Sequence, residues 1–451
     1  MTSLTHPRLF GLGRNPAAPD DVLVRLAAHD HGRHGIHLRR GRLPDAVVEA
    51  LLTYGGGDSA FLLRADRLSP GMLRRIEGHP DPAIRDAPAD FVRSMVENEA
   101  PIGIEGIEEA YGRPRTALAA APDPKVRAAV ARSWWERPLD VQVTLLADPD
   151  PRVRAAATLH ARPGVPPQLL DRCLADPATR GNVARHIPLT REQFAELTRG
   201  GEQELLRAVA ENPHLTAEMA ARLADVDDPV VRVAVARSRH ADAGTRDRLY
   251  ALVEAEHADG GTEAYVALHW HGLTPGWLRD APLEERLTHL ERSDPAMRRE
   301  LASCPDLPQD AWRRLDGDPD LGVRQVAARR PDVPPEVLER LVRAHGDHVR
   351  PPLVEHPNFP RHKLCSFAEE ADPRVRRVAL EDPGLPVPAL ERLAAAEESY
   401  LRRGVAGHPG VTLALLERLL SDPAPEVADS AAANPALPLD RMHRILADAG
   451  L

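Results

Sequence analysis

The 451-residue chain is too long for one ordinary globular core, and its composition of 43% hydrophobic and 28% charged residues excludes a disordered polypeptide. Its formal net charge of −10 argues against a general nucleic-acid coat, because binding to a phosphate backbone depends on an excess of cations. No apolar run reaches the length of about 18 residues that a membrane span needs, and the N-terminus lacks a basic segment followed by an apolar one. We therefore expect a cytoplasmic protein with no membrane partner.

The first half of the chain carries an imperfect internal repeat. Asn15-Pro16 opens it, and an apolar residue of a first helix later recurs every 26 or 27 residues, at Val130, Ala157, Val183, Val209 and Val235. The segments 99–115 and 255–264 break this register. We expect long loops there, which either lie on a face that contacts a partner or reflect tolerated drift of the repeat.

The second half of the chain repeats more regularly. A residue followed by proline recurs every 26 residues, at Cys304-Pro305, Arg330-Pro331, His356-Pro357, Asp382-Pro383, His408-Pro409 and Asn434-Pro435. An apolar stripe such as Leu338, Leu341 and Val342 follows each proline, at the i, i+3, i+4 spacing of one helical face. Each repeat is therefore predicted to contain two short helices and two turns.

Proline and aspartate mark where the helices begin. Asp318-Pro319, Asp372-Pro373 and Asp422-Pro423 place a carboxylate before a proline, a pattern typical of an N-cap followed by the first helical residue. The residue before a proline avoids the α conformation, so the first helix of each repeat should end near the second X-Pro pair.

The repeat segment DPRVRRVALEDPGLPVPALERLAA, at Asp372–Ala395, resembles the unit of the leucine-rich repeat variant family, and the resemblance covers most of the chain. That resemblance implies an all-α, HEAT-like or armadillo-like solenoid, a right-handed superhelix of about sixteen two-helix repeats. We expect one continuous solenoid with irregular repeats over 1–120, central repeats over 121–255 and regular repeats over 256–451. Some family members carry a cysteine-ligated iron–sulfur cluster near the N-terminus, but the first cysteine here is Cys173, so no such cofactor is expected.

Arginines in the first helices form a ladder of candidate binding residues. They recur at Arg127, Arg154, Arg232, Arg324, Arg350, Arg376 and Arg402. A spaced row of cations suits a phosphate backbone. Because aspartate occupies most of the preceding turns, the pattern favours the alternative, in which each arginine bonds to an aspartate between neighbouring repeats.

Histidine and tryptophan supply the other candidate sites. His29, His31, His34 and His37 cluster in a segment predicted to be a loop, but their spacing matches no familiar zinc site, so no metal is expected. Trp134-Trp135 and His269-Trp270-His271 lie beside the irregular segments. An exposed tryptophan is a plausible binding hot spot, although core filling at turns is the favoured interpretation.

No arrangement of residues predicts catalysis. The glycine-rich segment at 54–60 lacks the lysine and hydroxyl residue of a phosphate-binding loop. Cys173, Cys304 and Cys365 form no CxxC pair and are expected to be small buried side chains. The sequence therefore predicts no enzyme, no catalytic residue and no cofactor.

Three functions are compatible with this pattern. The favoured one is a non-enzymatic scaffold that holds a protein or peptide partner on its concave surface. The alternative is a nucleic-acid-binding solenoid, of the kind in which HEAT-like helices cradle damaged DNA, and the third is an adaptor for a neighbouring gene product. Oligomeric state and partner identity stay open at this point.

Overall fold

The computed structural model describes residues 4–63, 67–269, 274–349 and 353–451, with the Phe61 side chain left aside. Throughout these residues the regular structure is helical, and no strand occurs, which confirms the predicted all-α class. The chain divides into two compact units, one formed by Met1–Phe91 together with Pro331–Leu451 and the other by Val92–Arg330. The division of one continuous solenoid by repeat regularity, after residues 120 and 255, stays a prediction. The handedness of the superhelix stays a prediction.

The helices are short and follow one another closely along the chain. Those of the first 91 residues, with one that runs on into the second unit, are α1 (Thr5–Arg14), α2 (Asp20–Leu26), α3 (Asp30–His37), α4 (Asp45–Leu62), α5 (Pro70–Glu77), α6 (Pro82–Arg85) and α7 (Ala87–Glu97). Helix α4 is kinked at Gly56, whose φ of 51° and ψ of −135° leave the helical region. The glycine-rich segment is therefore a kink within a helix.

The second unit continues the alternation of short helices. Its helices are α8 (Ile104–Tyr111), α9 (Arg115–Leu118), α10 (Pro124–Ser133), α11 (Leu139–Leu146), α12 (Pro151–Thr158), α13 (Leu170–Ala175), α14 (Arg180–His186), α15 (Arg191–Thr198), α16 (Gln203–Ala210), α17 (Ala217–Leu223), α18 (Pro229–Arg237), α19 (Ala243–Ala258), α20 (Thr262–His269), α21 (Leu283–Leu287), α22 (Pro295–Ala302), α23 (Gln309–Asp316) and α24 (Leu321–Ala327). Short 3₁₀ helices lie at Pro167–Leu169 and Gly276–Asp280.

The C-terminal part of the first unit shows the repeat most clearly. Its helices are α25 (Pro335–His345), α26 (Leu364–Phe367), α27 (Pro373–Val378), α28 (Val387–Ala394), α29 (Ser399–Ala406), α30 (Leu413–Leu420), α31 (Pro425–Ala432) and α32 (Leu439–Asp448). Further 3₁₀ helices occupy Gly346–His348, Arg361–Lys363 and Ala379–Glu381. The first helices α29 and α31 pack on each other, and α30 packs on α31, as a two-helix repeat requires.

The residue before the second proline of a repeat reaches back to the preceding repeat. The Asn434 side-chain amide donates to the carbonyls of Ala406 (2.7 Å) and His408 (3.2 Å). Asn212 donates in the same way to the carbonyls of Ala184 and Ile187, both at 2.6 Å. These bonds satisfy carbonyls at the end of a helix, which have no partner within it. The asparagine therefore joins consecutive repeats.

The first and last repeats of the chain are joined by this same arrangement. Asn15 donates to the carbonyls of Ala432 (2.9 Å) and Asn434 (2.7 Å), so it stands to α31 as Asn434 stands to α29. Arg14 binds both carboxylate oxygens of Asp429 at 2.6 Å. Gly11 lies so close to α31 that a Cβ atom there would overlap the Asp429 carbonyl oxygen. Helix α1 therefore packs against α31, and the N-terminal repeat covers the C-terminal one.

The core of the second unit is made by the apolar faces of successive helices. One cluster includes Val126 and Val130 of α10 with Val153 of α12, and a second includes Val209, Leu223 and Val235. Burial of apolar surface stabilises the folded state by about 25 cal/mol per Å². The contacts between these apolar faces therefore stabilise the packing of each helix against its neighbours. Cys173 and Cys304 are buried as predicted, whereas Cys365 is half-buried.

The two segments predicted to be loops contain helices instead. Residues 255–258 extend α19, and a turn at Gly260 (φ of 92°) leads into α20. Residues 104–111 form α8 after Glu99, which adopts a positive φ of 55°. In the segment 99–115, Ile104 and Ile107 are buried, so α8 adds packed helix. In the segment 255–264, Ala264 of α20 is buried, whereas Ala255 and Ala258 at the end of α19 are exposed. Among the described residues, no helix is both long and apolar enough to cross a membrane.

Candidate functional site

Three arginines of the predicted ladder form ion pairs with an aspartate further along the chain. Arg127 donates from Nε and Nη2 to Asp148 at 2.7 and 2.8 Å, and Arg154 donates from Nε to Asp176 at 2.6 Å. Arg402 makes the same two-pronged contact with Asp422 at 2.7 and 3.0 Å. Each arginine lies 20 to 22 residues before its acceptor, so the pair joins a first helix to the next turn. This geometry agrees with the alternative in which each arginine bonds to an aspartate between neighbouring repeats.

The remaining ladder positions vary. Arg376 contacts Glu398 at 3.3 Å, and Arg232 pairs with Asp227 and Glu256. Arg324 is half-buried on α24, and Arg350 lies outside the described residues.

Two further arginines make the same contact, although the ladder predicted from the sequence omitted them. Arg207 donates from Nε to Asp228 at 2.8 Å, and Arg298 donates from Nε to Asp318 at 2.6 Å. The signal was present in the sequence, because each of these arginines also stands 20 or 21 residues before an Asp-Pro pair.

The pairing is reflected in the ionisation of its members. The hydrogen bond from Arg154 lowers the pKa of the Asp176 carboxyl, against the opposing effect of partial burial. The same bond raises the pKa of the Arg154 guanidinium. Both charges are therefore favoured in the folded state, and the arginine is committed to its aspartate.

Two of the three aspartates predicted to be N-caps have this other role. Asp372 does cap α27, accepting from the Arg374 amide. Asp318 and Asp422 lie two residues before the caps of α24 and α31. They accept hydrogen bonds from Arg298 and Arg402 instead. In these two repeats the carboxylate before the helix pairs with an arginine of the preceding repeat, and a later residue is the cap. The prediction that all three aspartates are caps was therefore wrong.

The two adjacent tryptophans point to opposite environments. Trp134 is 9% exposed and belongs to the core, whereas Trp135 is 61% exposed. The Trp135 indole N–H donates to the Arg132 carbonyl at 3.0 Å, and its ring lies 4.9 Å from that of His160. Core filling therefore describes Trp134 alone.

Further apolar side chains are exposed near Trp135. Leu139 and Val143 lie one turn apart on α11 and are 66% and 37% exposed, and Leu159, next to His160, is 42% exposed. We call Trp135, Leu139, Val143 and Leu159 the Trp135 surface. Exposed apolar side chains are ordinary singly, but an exposed indole with further exposed apolar side chains close to it in the chain, or next to its ring partner His160, is a candidate binding surface.

The predicted histidine loop is a helix, because His29 caps α3 by accepting from the His31 amide. His29 and His31 meet His6 from α1, which the sequence analysis did not include. The ring centroids of His6 and His31 are 4.2 Å apart, and His29 lies 5.5 and 5.6 Å from them. Burial and the neighbouring imidazoles lower the pKa of both His29 and His31, so these rings are neutral near pH 7.

The other two histidines of α3 lie apart from this trio. His34 and His37 line a recess of about 380 Å³ together with His31 and the apolar side chains of Phe10, Leu38 and Leu62. Burial, followed by the charge of Arg67, lowers the pKa of His37 to about 4. The segment His269-Trp270-His271 is described in part. His269 stacks on Tyr265, and Trp270 and His271 lie outside the described residues.

Comparison with known proteins adds little to this picture. No family model matches the chain, and no curated protein matches it. One solved structure, the crystal structure of an engineered protein, aligns over 82% of this chain and 98% of its own at 15% identity, with a TM-score of 0.18. A similarity this low carries no argument about fold or function. The helices and their contacts define the class of this protein, an all-α repeat protein.

Proposed function

We propose that this protein is a non-enzymatic repeat scaffold that binds a protein or peptide partner. The observation that carries the proposal is the Trp135 surface. Tryptophan contributes more binding energy at protein interfaces than almost any other residue, and α11, which begins four residues after Trp135, exposes the apolar side chains of Leu139 and Val143.

The charges beside this surface suggest the chemistry of the partner. Glu136 and Asp140 are exposed and alternate with Trp135 and Leu139 along the chain. An apolar segment flanked by lysine or arginine fits such a surface, because acidic groups at an interface rim attract and orient basic ones.

The ladder geometry favours a protein partner over nucleic acid. A phosphate backbone requires cations that are free to displace its counterions. Arg127, Arg154 and Arg402 each donate to a carboxylate, and their side chains are 12%, 19% and 15% exposed. Binding of nucleic acid by the ladder would have to break these pairs.

The test compares Trp135→Ala with Tyr54→Ala, an exposed aromatic residue of the other unit that is 55% accessible. A partner captured by wild-type protein after nuclease treatment and at raised salt is purified, and its affinity for each protein is measured by calorimetry. We expect Trp135→Ala to weaken binding by about 30-fold, a hot-spot effect of about 2 kcal/mol, and Tyr54→Ala to be close to wild type. Equal affinities for wild type and Trp135→Ala would refute the assignment of this surface. Recovery of nucleic acid that is lost as salt rises would refute the scaffold proposal.

A further inference from the structure

Three imidazoles from two helices converge at the N-terminal end of the chain. His6 lies in the first turn of α1, and His29 and His31 lie at the start of α3. One ring nitrogen of each can be chosen so that all three lie within 4.8 Å of one another. Three imidazole nitrogen donors are thus assembled, one from His6 and two from residues that lie 23 and 25 positions further along the chain.

The spacing is close to what a metal ion needs. Zinc binds histidine nitrogens at about 2.0–2.1 Å, so nitrogens in a tetrahedral site are about 3.3 Å apart. Small side-chain rotations bring donors within 4.8 Å to that distance, because His6 and His31 are exposed and can rotate. The rings do not hydrogen-bond to one another among the contacts described, and His29 bonds only weakly, accepting from the His31 amide at 3.2 Å.

The backbones that carry these side chains are held rigidly. Helices α1 and α3 approach so closely at Gly13 and Gly35 that a Cβ atom on Gly13 would lie 2.9 Å from the Gly35 backbone. Helix α1 is also packed against α31 through Gly11 and Arg14. The two helix backbones therefore keep a fixed relation, so an ion has to order only the three side chains, which lowers the entropy lost when it binds.

We propose that His6, His29 and His31 form a binding site for a divalent transition metal, of which Zn²⁺ is the best match. Imidazole is a preferred ligand of zinc, copper and nickel, and three protein ligands leave a fourth position for water or a donor from a partner. Arg33 lies near the trio but is paired with Asp30, so its charge is compensated. Binding of the ion replaces the hydrogen bond that the His31 amide donates to the His29 ring.

The position of the site gives the ion a structural effect. It ties the first turn of α1 to the start of α3, and α1 is the helix that covers the last repeat through α31. A bound ion is therefore expected to protect α1 and, through it, the junction between the first and last repeats against local unfolding.

The experiment uses the full-length chain, purified without a histidine tag, stripped with chelator and dialysed against zinc chloride. Zinc content by mass spectrometry and the d–d absorption of a cobalt-substituted sample report binding. We expect one strong site per chain, with affinity reduced about tenfold or more in His6→Ala and in His31→Gln. His34→Ala, a change on the same helix outside the trio, should bind as wild type does.

Each outcome decides the proposal. Loss of the tetrahedral cobalt spectrum in both trio variants, with helical circular dichroism retained, supports it. Zinc should also slow hydrogen exchange in α1 of the wild type and have no such effect in His6→Ala. The proposal is overturned if stripped wild-type protein takes up no zinc, or if the trio variants and His34→Ala bind equally.

Discussion

The pairing of Arg402 with Asp422 offers the sharpest test of whether the arginine ladder is structural. Arg402 donates two bonds to Asp422 and two more from Nη1 to the carbonyls of Ala396 (2.9 Å) and Glu397 (2.8 Å). The side chains are 15% and 8% exposed. Replacing Arg402 by alanine leaves the Asp422 carboxylate without its cation in a poorly solvated position. We expect this change to reduce the free energy of unfolding by about 3 kcal/mol, the lower end of the range for a broken buried pair.

Hydrogen exchange measured by mass spectrometry suits this test better than a urea curve alone, because the chain has two units and its unfolding need not be two-state. A loss of about 3 kcal/mol should speed the exchange of amides in α29 and α31 by about 100-fold. Arg418→Ala, an exposed change on α30, should alter exchange little.

A double-mutant cycle separates the pair from its surroundings. Arg402→Ala, Asp422→Ala and the double variant should give a coupling free energy of about 2 kcal/mol, because the second change costs less once its partner is gone. Asp422 also accepts a bond from the Ala424 amide, so its single variant carries that additional loss. If Arg402→Ala exchanges as slowly as wild type, or if the two changes are additive, the ladder does not hold the repeats together and its arginines are available to a ligand.

Two other predictions concern the junction of the termini and the second unit. Gly11→Ala should weaken the contact of α1 with α31 by about 1–3 kcal/mol and speed hydrogen exchange in α1, because its Cβ would overlap the Asp429 carbonyl oxygen. Gly71→Ala, where the new Cβ has ordinary room, is the control, and equal exchange in both variants would contradict the packing described. His289 should make stability fall by about 2 kcal/mol between pH 7 and pH 5, because burial, then the charge of Arg246, lowers its pKa to about 4 from 6.5. The neutral ring stabilises the fold above pH 6.5, and this contribution is lost as pH falls towards 4. Hydrogen exchange of the α21 amides, normalised to the intrinsic exchange rate at each pH, should show a smaller loss of protection in His289→Asn than in wild type, while an equal loss would show that His289 does not titrate as described.

Much of the local architecture was readable from the sequence. The interval of 26 residues between X-Pro pairs and the apolar spacing of Leu338, Leu341 and Val342 predicted short paired helices, and α25 contains all three residues on its buried face. Such features depend on contacts between near neighbours in the chain, so a repeating sequence is enough to indicate them. The choice between phosphate binding and ion pairing, by contrast, required the positions of the carboxylates opposite each arginine.

The candidate sites depended on contacts between distant parts of the chain. A periodic sequence indicates contacts between successive repeats, but it does not indicate a contact between the first repeat and the last. The packing of Asn15 against α31 could therefore not be predicted from the sequence. The sequence also did not indicate which of Trp134 and Trp135 is exposed. The two rings follow the end of α10, and the path of the backbone there places the Trp134 ring in the core and the Trp135 ring in solvent. His6 joins His29 and His31 only because α1 and α3 approach at glycines, where the absence of a Cβ lets two backbones touch. The sequence by itself determined the repeat and its helices, whereas tertiary packing decided which side chains meet and which remain exposed.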